Sequence, residues 1–309
     1  MTGTGPLHRM EQLVSGRTER NLPLAPFSAF KVGGRADLYL EPESPDEVRG
    51  VLRTAHEEGV PVFVLGGGTN LLIRDGGIRG VVIRLGKVFR RIRIEGHRLL
   101  GGGMASMTKV ALAAEEVGLG GLEFGYDIPG TVGGALRMNA GAHGSDVSRV
   151  LAEASGFDEG GGFHRVPASQ VRFGYRTAIY PCPLLFTEGI FALHPEDREA
   201  LAARRKENHA HRLRTQPKGK TVGSIFKNPE GDHAGRLVDA AGLKGKRVGG
   251  ARVSEKHGNW ILNEEGASAR DIESLIRTIQ EAVRERFEVD LEPEVRIVGE
   301  PVPVPERSS

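Results

Sequence analysis

The chain has 309 residues, of which 39% are hydrophobic and 27% are charged, a composition typical of a soluble globular protein. This length is enough for a sizeable core and predicts two or three domains. Lys plus Arg number 42 and Asp plus Glu 40, so the net charge of +2 favours no class of partner. The single cysteine, Cys182, excludes an internal disulfide framework and a cysteine-rich metal site. Its place between Pro181 and Pro183 predicts a packed thiol, with a reactive thiol as the alternative.

Targeting signals are absent from the pattern. No apolar run approaches the roughly 20 residues that span a bilayer, and the first residues lack the apolar core of an export signal. We therefore expect a cytoplasmic protein without a membrane segment.

The first half of the chain alternates strand and helix patterns, and several strands run into glycine clusters. Glycine costs backbone entropy, so dense clusters indicate tight turns or backbone that lies against a ligand. The predicted elements are a strand at 36–42, a helix at 44–59 that Ser44 caps, a buried strand at 60–68, a strand at 80–85, a hairpin at 92–103 and a helix at 104–118. This half is α/β.

The second half has a different pattern. Residues 194–213 predict a polar helix, and residues 268–289 predict an amphipathic helix. A strand at 291–299 and a flexible tail at 301–309 follow. The apolar face of the amphipathic helix consists of Ile272, Leu275, Ile276, Ile279, Val283 and Phe287. We place a domain boundary close to residue 195.

The segment 198–220 is strongly basic and almost free of aromatic residues. A nucleic-acid site would more often interleave stacking rings, so we expect no nucleic-acid partner. The segment is either a solvated helix face followed by a loop or a local funnel for a phosphorylated small molecule.

Two glycine-rich loops are candidate ligand sites. "VLGGGTNLLIRDGG" at 64–77 follows a strand and offers successive backbone N–H groups to an anion, but it matches neither the Rossmann nor the P-loop pattern. "IPGTVGGALRMNAGAHG" at 128–144 is a second such loop. Together they suggest a cofactor with two phosphates and a flat ring, although a tightly packed glycine core is the structural alternative.

The stretch "GSIFKNP" at 223–229 places Ser224 in a glycine-led turn that is not the G-x-S-x-G elbow of a hydrolase. The serine either stabilises a turn or donates a proton in a reaction whose other catalytic groups lie elsewhere in the chain.

These segments resemble one family. The two loops, together with "FSAFKVGGRADLYLEP" (27–42), "RFGYR" (172–176), "GSIFKNP" and "LEPEVRIVG" (291–299), resemble the UDP-N-acetylenolpyruvoylglucosamine reductase (MurB) family in order, from about residue 20 to 300. The length and the close spacing after "RFGYR" resemble the shorter, type II form. One departure is Asp127, since the family commonly has glycine before Ile-Pro-Gly.

The resemblance implies an α/β (α+β) fold in two parts. Residues 20–195 would form a two-part FAD-binding unit of the vanillyl-alcohol-oxidase (PCMH) type, and residues 196–300 a smaller C-terminal α/β substrate-binding domain. It also implies non-covalent FAD, with covalent attachment at His143 as an alternative. By motif, the cofactor-binding residues would be Gly66, Gly67, Gly68, Thr69, Asn70, Pro129, Gly130, Thr131, Gly133, Gly134, Asn139 and Gly141.

The implied reaction reduces an enolpyruvyl ether to a lactyl ether in peptidoglycan precursor synthesis, with NADPH as the reductant. Arg176 matches the catalytic arginine, Glu294 the catalytic glutamate and Ser224 the proton donor. A hydroxyl needs no His–Asp relay here, because an enolate carbon is a strong base. Asn228 matches a substrate-binding position, and Tyr175, beside Arg176, is a second candidate for substrate contact, with packing as the alternative. Arg212, Arg214 and Lys218 are candidates for the diphosphate.

Two other functions stay open on these residues: another flavin oxidoreductase or oxidase of the same superfamily, and a non-enzymatic nucleotide-binding protein. In each case we expect small-molecule ligands, no metal and no obligatory protein partner.

Overall fold

The computed structural model describes residues 5–302, and most of the predicted tail (303–309) lies outside them. By packing, the described chain divides into two compact units. Unit 1 comprises the chain up to Arg20, Leu38–Gly67 and Gly80–Arg214. Unit 2 comprises Asn21–Asp37, Gly68–Arg79 and the chain from Thr215 onward. The predicted domain limits stay a prediction, but helix 198–215 packs with unit 1 as far as Arg214.

The helices are α1 (Pro6–Gln12), α2 (Pro45–Glu57), α3 (Met107–Glu116), α4 (Val132–Met138), α5 (Arg198–Thr215), α6 (Ala234–Ala240) and α7 (Ala269–Phe287). The strands are β1 (Thr18–Pro23), β2 (Arg35–Leu40), β3 (Val62–Val64), β4 (Leu71–Ile73), β5 (Ile78–Ile83), β6 (Ile92–Glu95), β7 (Arg98–Gly102), β8 (Leu119–Gly120), β9 (Gly141–Ala142), β10 (Ser145–Asp146), β11 (Leu151–Phe157), β12 (Phe163–Pro167), β13 (Arg172–Gly174), β14 (Thr177–Ile179), β15 (Leu185–Ala192), β16 (His194–Pro195), β17 (Arg247–Val248), β18 (Ala251–Val253), β19 (Ile261–Asn263) and β20 (Arg296–Val298).

Unit 1 has two hydrophobic cores. One lies against an antiparallel sheet of order β12-β11-β15-β7-β6, and the other includes buried residues of α1 and α2 together with Val81 and Ile83 of β5. Helix α4 packs close to the sheet because the strands carry glycine beneath it. A Cβ on Gly101 would lie 3.1 Å from Val132, and one on Gly189 would lie 3.2 Å from both Val132 and Leu136. Glycines in the strands therefore set the short distance between the sheet and α4, and α4 belongs to the second glycine loop.

Unit 2 has one core, in which α7 packs near the sheet β17-β18-β19. A capping box between Ser268 and Asp271 starts α7, and the predicted apolar face is buried from Ile272 to Val283, with Phe287 partly buried. The predicted helix at 268–289 is confirmed. Strand β20 pairs in parallel with β4, so residues 71–73 of the first glycine-rich stretch lie beside the C-terminal strand.

The predicted elements of the first half are largely confirmed. Ser44 caps α2 by accepting from the N–H of Glu47 at 3.2 Å, as the sequence predicts. The polar helix begins later than predicted, at Arg198, because His194 and Pro195 form a short strand with β8. The predicted strand at 291–299 is shorter, since only Arg296–Val298 pair regularly.

Cys182 is partly buried. Burial raises the pKa of its thiol, and the nearby charge of Asp158 raises it further. A raised pKa disfavours the nucleophilic thiolate, so the structure favours the packed-thiol interpretation.

Candidate active site

The first glycine loop leaves β3, which pairs in parallel with Val81–Ile83. In unit 1 this loop adjoins the second one, because a Cβ on Gly66 would lie 3.0 Å from the hydroxyl of Thr131. Among the described residues, no protein acceptor receives the N–H groups of Gly66, Gly67 and Thr131. Free N–H groups on two adjoining loops are suited to an anion such as a pyrophosphate. These residues therefore fit FAD.

The N–H groups that follow in the second loop are already bound. Val132 donates to Ala105 at 2.9 Å, Gly133 donates to Gly103 at 2.9 Å, and Gly134 donates to the hydroxyl of Thr131 at 3.3 Å. These bonds fix the loop and cap α4. The sequence predicts Gly133 and Gly134 as cofactor-binding residues, but both use their N–H groups within the protein.

At two of the predicted cofactor-binding glycines, contacts within the protein already explain why glycine is needed. A Cβ on Gly141 would lie 2.5 Å from the Cβ of Asp146 across the β9–β10 pair. In unit 2, Gly68 has φ +64, and a Cβ there would lie 1.9 Å from the carbonyl oxygen of Phe27. Close approach of protein backbone therefore requires glycine at both positions, whatever ligand binds nearby.

Asn139 ends α4 in the left-handed conformation and is only 2% exposed. Its Nδ2 donates to the carbonyl of Gly174 at 3.1 Å, and its Oδ1 accepts from the N–H of Ser148 at 2.9 Å. Its amide thus connects the second glycine loop to the β13–β14 hairpin. The resemblance assigns this residue to FAD, and nothing near it in sequence indicates its contact with Gly174.

Arg176 lies in the two-residue turn of that hairpin, between the paired residues Gly174 and Thr177. Its φ of +55° places a non-glycine residue in the left-handed region, where it costs of order 1–3 kcal/mol. The Arg176 guanidinium lies 5.3 Å from the ring centre of Tyr175, which is 56% exposed. Two-residue turns commonly require a positive φ at a central residue, so the turn itself accounts for this conformation. The catalytic role of Arg176 stays a prediction.

Asp127 lies just before Ile128-Pro129-Gly130 and does not have a positive φ, so this turn has no conformational need for glycine. Its largely buried carboxylate receives a hydrogen bond from His209 Nδ1 at 2.9 Å, and its carbonyl receives one from Arg212 Nη1. Burial lowers the pKa of Arg212, while Asp127 opposes that shift. The residue that departs from the family pattern therefore anchors α5 to the second glycine loop.

Other arginines of α5 are also paired within unit 1. Arg205 forms two hydrogen bonds to Glu115, and Arg204 pairs with Glu123 and Glu196. Three arginines of this helix, Arg204, Arg205 and Arg212, therefore connect it to other parts of unit 1. Arg212 is among these anchoring residues, although the sequence had offered it as a diphosphate ligand.

In unit 2, residues 223–229, called the Ser224 segment below, lie between the backbone around Trp260 and the backbone around Pro293. On one side Ser224 forms a bridge with Trp260, and on the other Phe226 forms a bridge with Pro293. The N–H of Glu294 donates to the carbonyl of Ile225 at 2.8 Å. The structure thus brings together the backbones that carry the predicted proton donor and the predicted catalytic glutamate.

Two predicted ligand-binding asparagines belong to the same arrangement. Asn70 donates through Nδ2 to the carbonyl of Glu294 at 2.9 Å, and its backbone carbonyl accepts from the N–H of Arg296 at 3.1 Å. Asn228, which is exposed, accepts through Oδ1 from the N–H of Ala234 at 3.1 Å. Unit 2 therefore holds Ser224, Glu294, Asn70 and Asn228 on one connected framework, and unit 1 holds Tyr175, Arg176 and the second glycine loop.

Comparison with known families agrees with the fit of these loops to FAD. Residues 36–166 match the family model described as an FAD binding domain. The chain is thus a flavin-dependent oxidoreductase, and the predicted fold class is confirmed.

The rest of the chain identifies the family. Residues 216–298 match the model described as the C-terminal domain of UDP-N-acetylenolpyruvoylglucosamine reductase. The enzyme of that name from Bacillus licheniformis is 41% identical over 297 residues, which are 95% of this chain and 98% of the relative. UDP-N-acetylenolpyruvoylglucosamine reductase 2 from Symbiobacterium thermophilum is 45% identical over 286 residues, 92% of this chain and 93% of the relative. The crystal structure of the Thermus caldophilus enzyme superposes with a TM-score of 0.81 at 35% identity and covers 91% of this chain and 98% of that one. The chain belongs to the UDP-N-acetylenolpyruvoylglucosamine reductase family.

Proposed function

We propose that the chain reduces the enolpyruvyl ether of a UDP-N-acetylglucosamine to the lactyl ether of UDP-N-acetylmuramate, with non-covalent FAD and NADPH. The reaction would take place in the cytoplasm as a step of peptidoglycan precursor synthesis. Family membership supports the activity, and the shared framework of Ser224 and Glu294 in unit 2 supports the assignment of residues. Among the described residues, no helix has the length and hydropathy to cross a membrane.

When bound, FAD supplies hydride transfer, from NADPH to the terminal alkene carbon of the enolpyruvyl group. The protein must then stabilise the negative charge that develops on the substrate. Arg176 offers a planar guanidinium that can bind the carboxylate through two parallel hydrogen bonds. Glu294 helps to hold and neutralise the developing enol.

Ser224 donates its hydroxyl proton to the carbon next to the carboxylate. A serine hydroxyl is a weak acid, but an enolate carbon is basic enough to accept its proton, and a cation close to the hydroxyl would stabilise the alkoxide that remains. Tyr175 and Asn228 would contact the substrate. The N–H groups of Gly66, Gly67 and Thr131 would hold the cofactor's phosphates, since no described protein group accepts from them.

An anaerobic spectral titration tests the activity. Protein loaded with FAD should lose its yellow absorbance on addition of NADPH, and the absorbance should return when the enolpyruvyl sugar nucleotide is added. Rapid reoxidation by air with no response to that substrate would instead indicate an oxidase. Failure to bind FAD would indicate a non-enzymatic protein.

A further inference from the structure

We propose that Asn259 is a positioning residue that holds the backbone of the Ser224 segment in the conformation needed for proton donation. This inference rests on the proposed role of Ser224. Asn259 follows His257 and Gly258 in the turn before β19 and is only 3% exposed.

The side chain of Asn259 binds both backbone polar groups of one residue, Phe226. Its Nδ2 donates to the carbonyl of Phe226 at 2.8 Å, and its Oδ1 accepts from the N–H of Phe226 at 2.9 Å. The backbone carbonyl of Asn259 also accepts from the N–H of Ile225 at 2.9 Å. Three hydrogen bonds from one residue therefore fix the two residues that follow Ser224.

A side chain makes these bonds because the neighbouring backbone turns away. Trp260 pairs with Ser224, but its N–H donates to the carbonyl of His257 and so closes a turn. No strand continues beside Phe226 on that side. An amide side chain has one donor group and one acceptor group, like a peptide, so Asn259 replaces the missing strand partner.

The opposite side of the segment is held by backbone. Lys227 donates to the carbonyl of Glu292 at 2.9 Å, and Glu294 donates to Ile225 at 2.8 Å. Phe226 itself is only 1% exposed. Loss of the Asn259 amide would leave a buried N–H and a buried carbonyl without partners, and the segment would shift to satisfy them.

The turn that carries Asn259 is itself fixed. The N–H of Asn259 donates to Nδ1 of His257 at 3.2 Å, and a Cβ on Gly258 would lie 2.6 Å from the carbonyl of Gly235. The amide is therefore presented from a tightly packed support. A displacement of about 1 Å at a reacting group can cost about 100-fold in rate.

The test compares Asn259→Ala with Asn263→Ala. Asn263 is a matched control, since it is 5% exposed in the same unit and binds two backbone groups, the carbonyl of Phe30 and the N–H of Ala267. For each variant with FAD bound, rapid-mixing absorbance gives the rate of flavin reduction by NADPH and the rate of reoxidation by the enolpyruvyl sugar nucleotide. We expect Asn259→Ala to slow reoxidation by about 10- to 100-fold and to leave reduction within about threefold. Asn263→Ala should leave both rates within about threefold.

A conservative variant gives a readout that a loss of stability would not move. Asn259→Asp keeps the shape of the side chain, but its carboxylate can only accept hydrogen bonds. The protonated acid both donates and accepts, and burial raises the pKa of such a carboxyl. The reoxidation rate of Asn259→Asp, relative to the unmodified protein at each pH, should therefore rise as the pH falls. This variant also serves if Asn259→Ala does not fold.

The outcomes separate this inference from the proposed function. If Ser224→Ala reoxidises at the normal rate, the role of Ser224 fails. If Ser224→Ala is slow but Asn259→Ala is not, or the aspartate shows no recovery at low pH, the positioning role alone fails. Adding Asn259→Ala to Ser224→Ala should slow reoxidation by less than about threefold further, because the positioned hydroxyl is already gone. If the double variant were slowed by the product of the two single-variant factors, the result would contradict the inference.

Discussion

Asn70 donates a hydrogen bond of 2.9 Å to the carbonyl of Glu294, although 224 residues separate the two in the chain. The bond lies within unit 2, where β4 and β20 pair in parallel immediately afterwards. The end of the first glycine loop therefore fixes the backbone of the proposed catalytic glutamate. The side chain of Asn70 acts on the protein at this point, in addition to any contact of its backbone with the cofactor.

Asn70→Ala should therefore affect the glutamate more than FAD. We expect the free energy of unfolding to fall by about 1 kcal/mol, the usual contribution of one hydrogen bond. Reoxidation by substrate should slow, and the affinity for FAD should stay within about threefold. Flavin fluorescence titration and rapid-mixing absorbance measure the two quantities. A large loss of FAD affinity with normal reoxidation would show that the amide serves the cofactor instead.

Two glycine substitutions separate cofactor contact from protein packing. A Cβ on Gly134 would lie 3.5 Å from the Thr131 hydroxyl, an ordinary contact, and alanine favours the helix. Gly134→Ala should keep or raise the free energy of unfolding of the FAD-free protein while lowering FAD affinity about tenfold or more, because Gly134 is one of the residues predicted to line the cofactor. Gly68→Ala should instead cost at least about 2 kcal/mol of stability, because of its positive φ and the carbonyl of Phe27. Normal FAD affinity in Gly134→Ala would remove that residue from the cofactor site.

Asp127→Gly restores the residue that the family commonly has at this position. The substitution removes the carboxylate that accepts a hydrogen bond from His209 Nδ1 on α5. We expect the free energy of unfolding to fall by about 1–3 kcal/mol, since a buried hydrogen-bonding partner is lost. A double-mutant cycle with His209→Ala should give a coupling of about 1 kcal/mol. Denaturant unfolding checks both values, and additive effects would show that the pair contributes no stability.

The stability of unit 2 should depend on pH through His257. Burial lowers the pKa of His257, and the charge of Lys244 lowers it further. The unfolded chain therefore binds a proton below the ordinary histidine pKa of about 6.5, in a range where the folded chain does not. Stability is thus full above that pH and is lost as the pH falls through it.

His257→Gln removes this titration. Its free energy of unfolding should decline less between pH 7 and pH 5 than that of the unmodified protein. Burial also lowers the pKa of His143, but this residue is present in both proteins, so the difference isolates His257. Parallel declines in urea unfolding at the two pH values would contradict the assignment.

Local patterns predicted much of the fold. The apolar spacing from Ile272 to Phe287 gave α7, and Ser44 marked the start of α2, because both features depend on residues close in sequence. The glycine loops and "GSIFKNP" indicated the cofactor, the reaction and its candidate residues through their resemblance to one family. The assigned roles of those residues stay predictions.

Non-local contacts could not be predicted in the same way. Nothing near Asn259 or Asn139 in sequence shows that their amides bind Phe226 and Gly174. The inclusion of residues 68–79 in unit 2 depends on the pairing of β4 with the distant strand β20, and residues 21–37 contact the same unit through bonds such as that of Asn263 to the carbonyl of Phe30. Asp127 was visible as a departure from the family, but its partner His209 lies 82 residues away on α5.

The role of Ser224 as proton donor is tested most directly by measuring the rates of the two half-reactions of Ser224→Ala. Flavin reduction by NADPH should proceed at nearly the normal rate, whereas reoxidation by the enolpyruvyl sugar nucleotide should slow by about 100-fold or more. Ser224→Cys should recover part of the rate, since a thiol can also donate a proton, and Ser274→Ala on α7 should behave as the unmodified protein. Reoxidation of Ser224→Ala at the normal rate, or equal slowing of both half-reactions, would contradict the account.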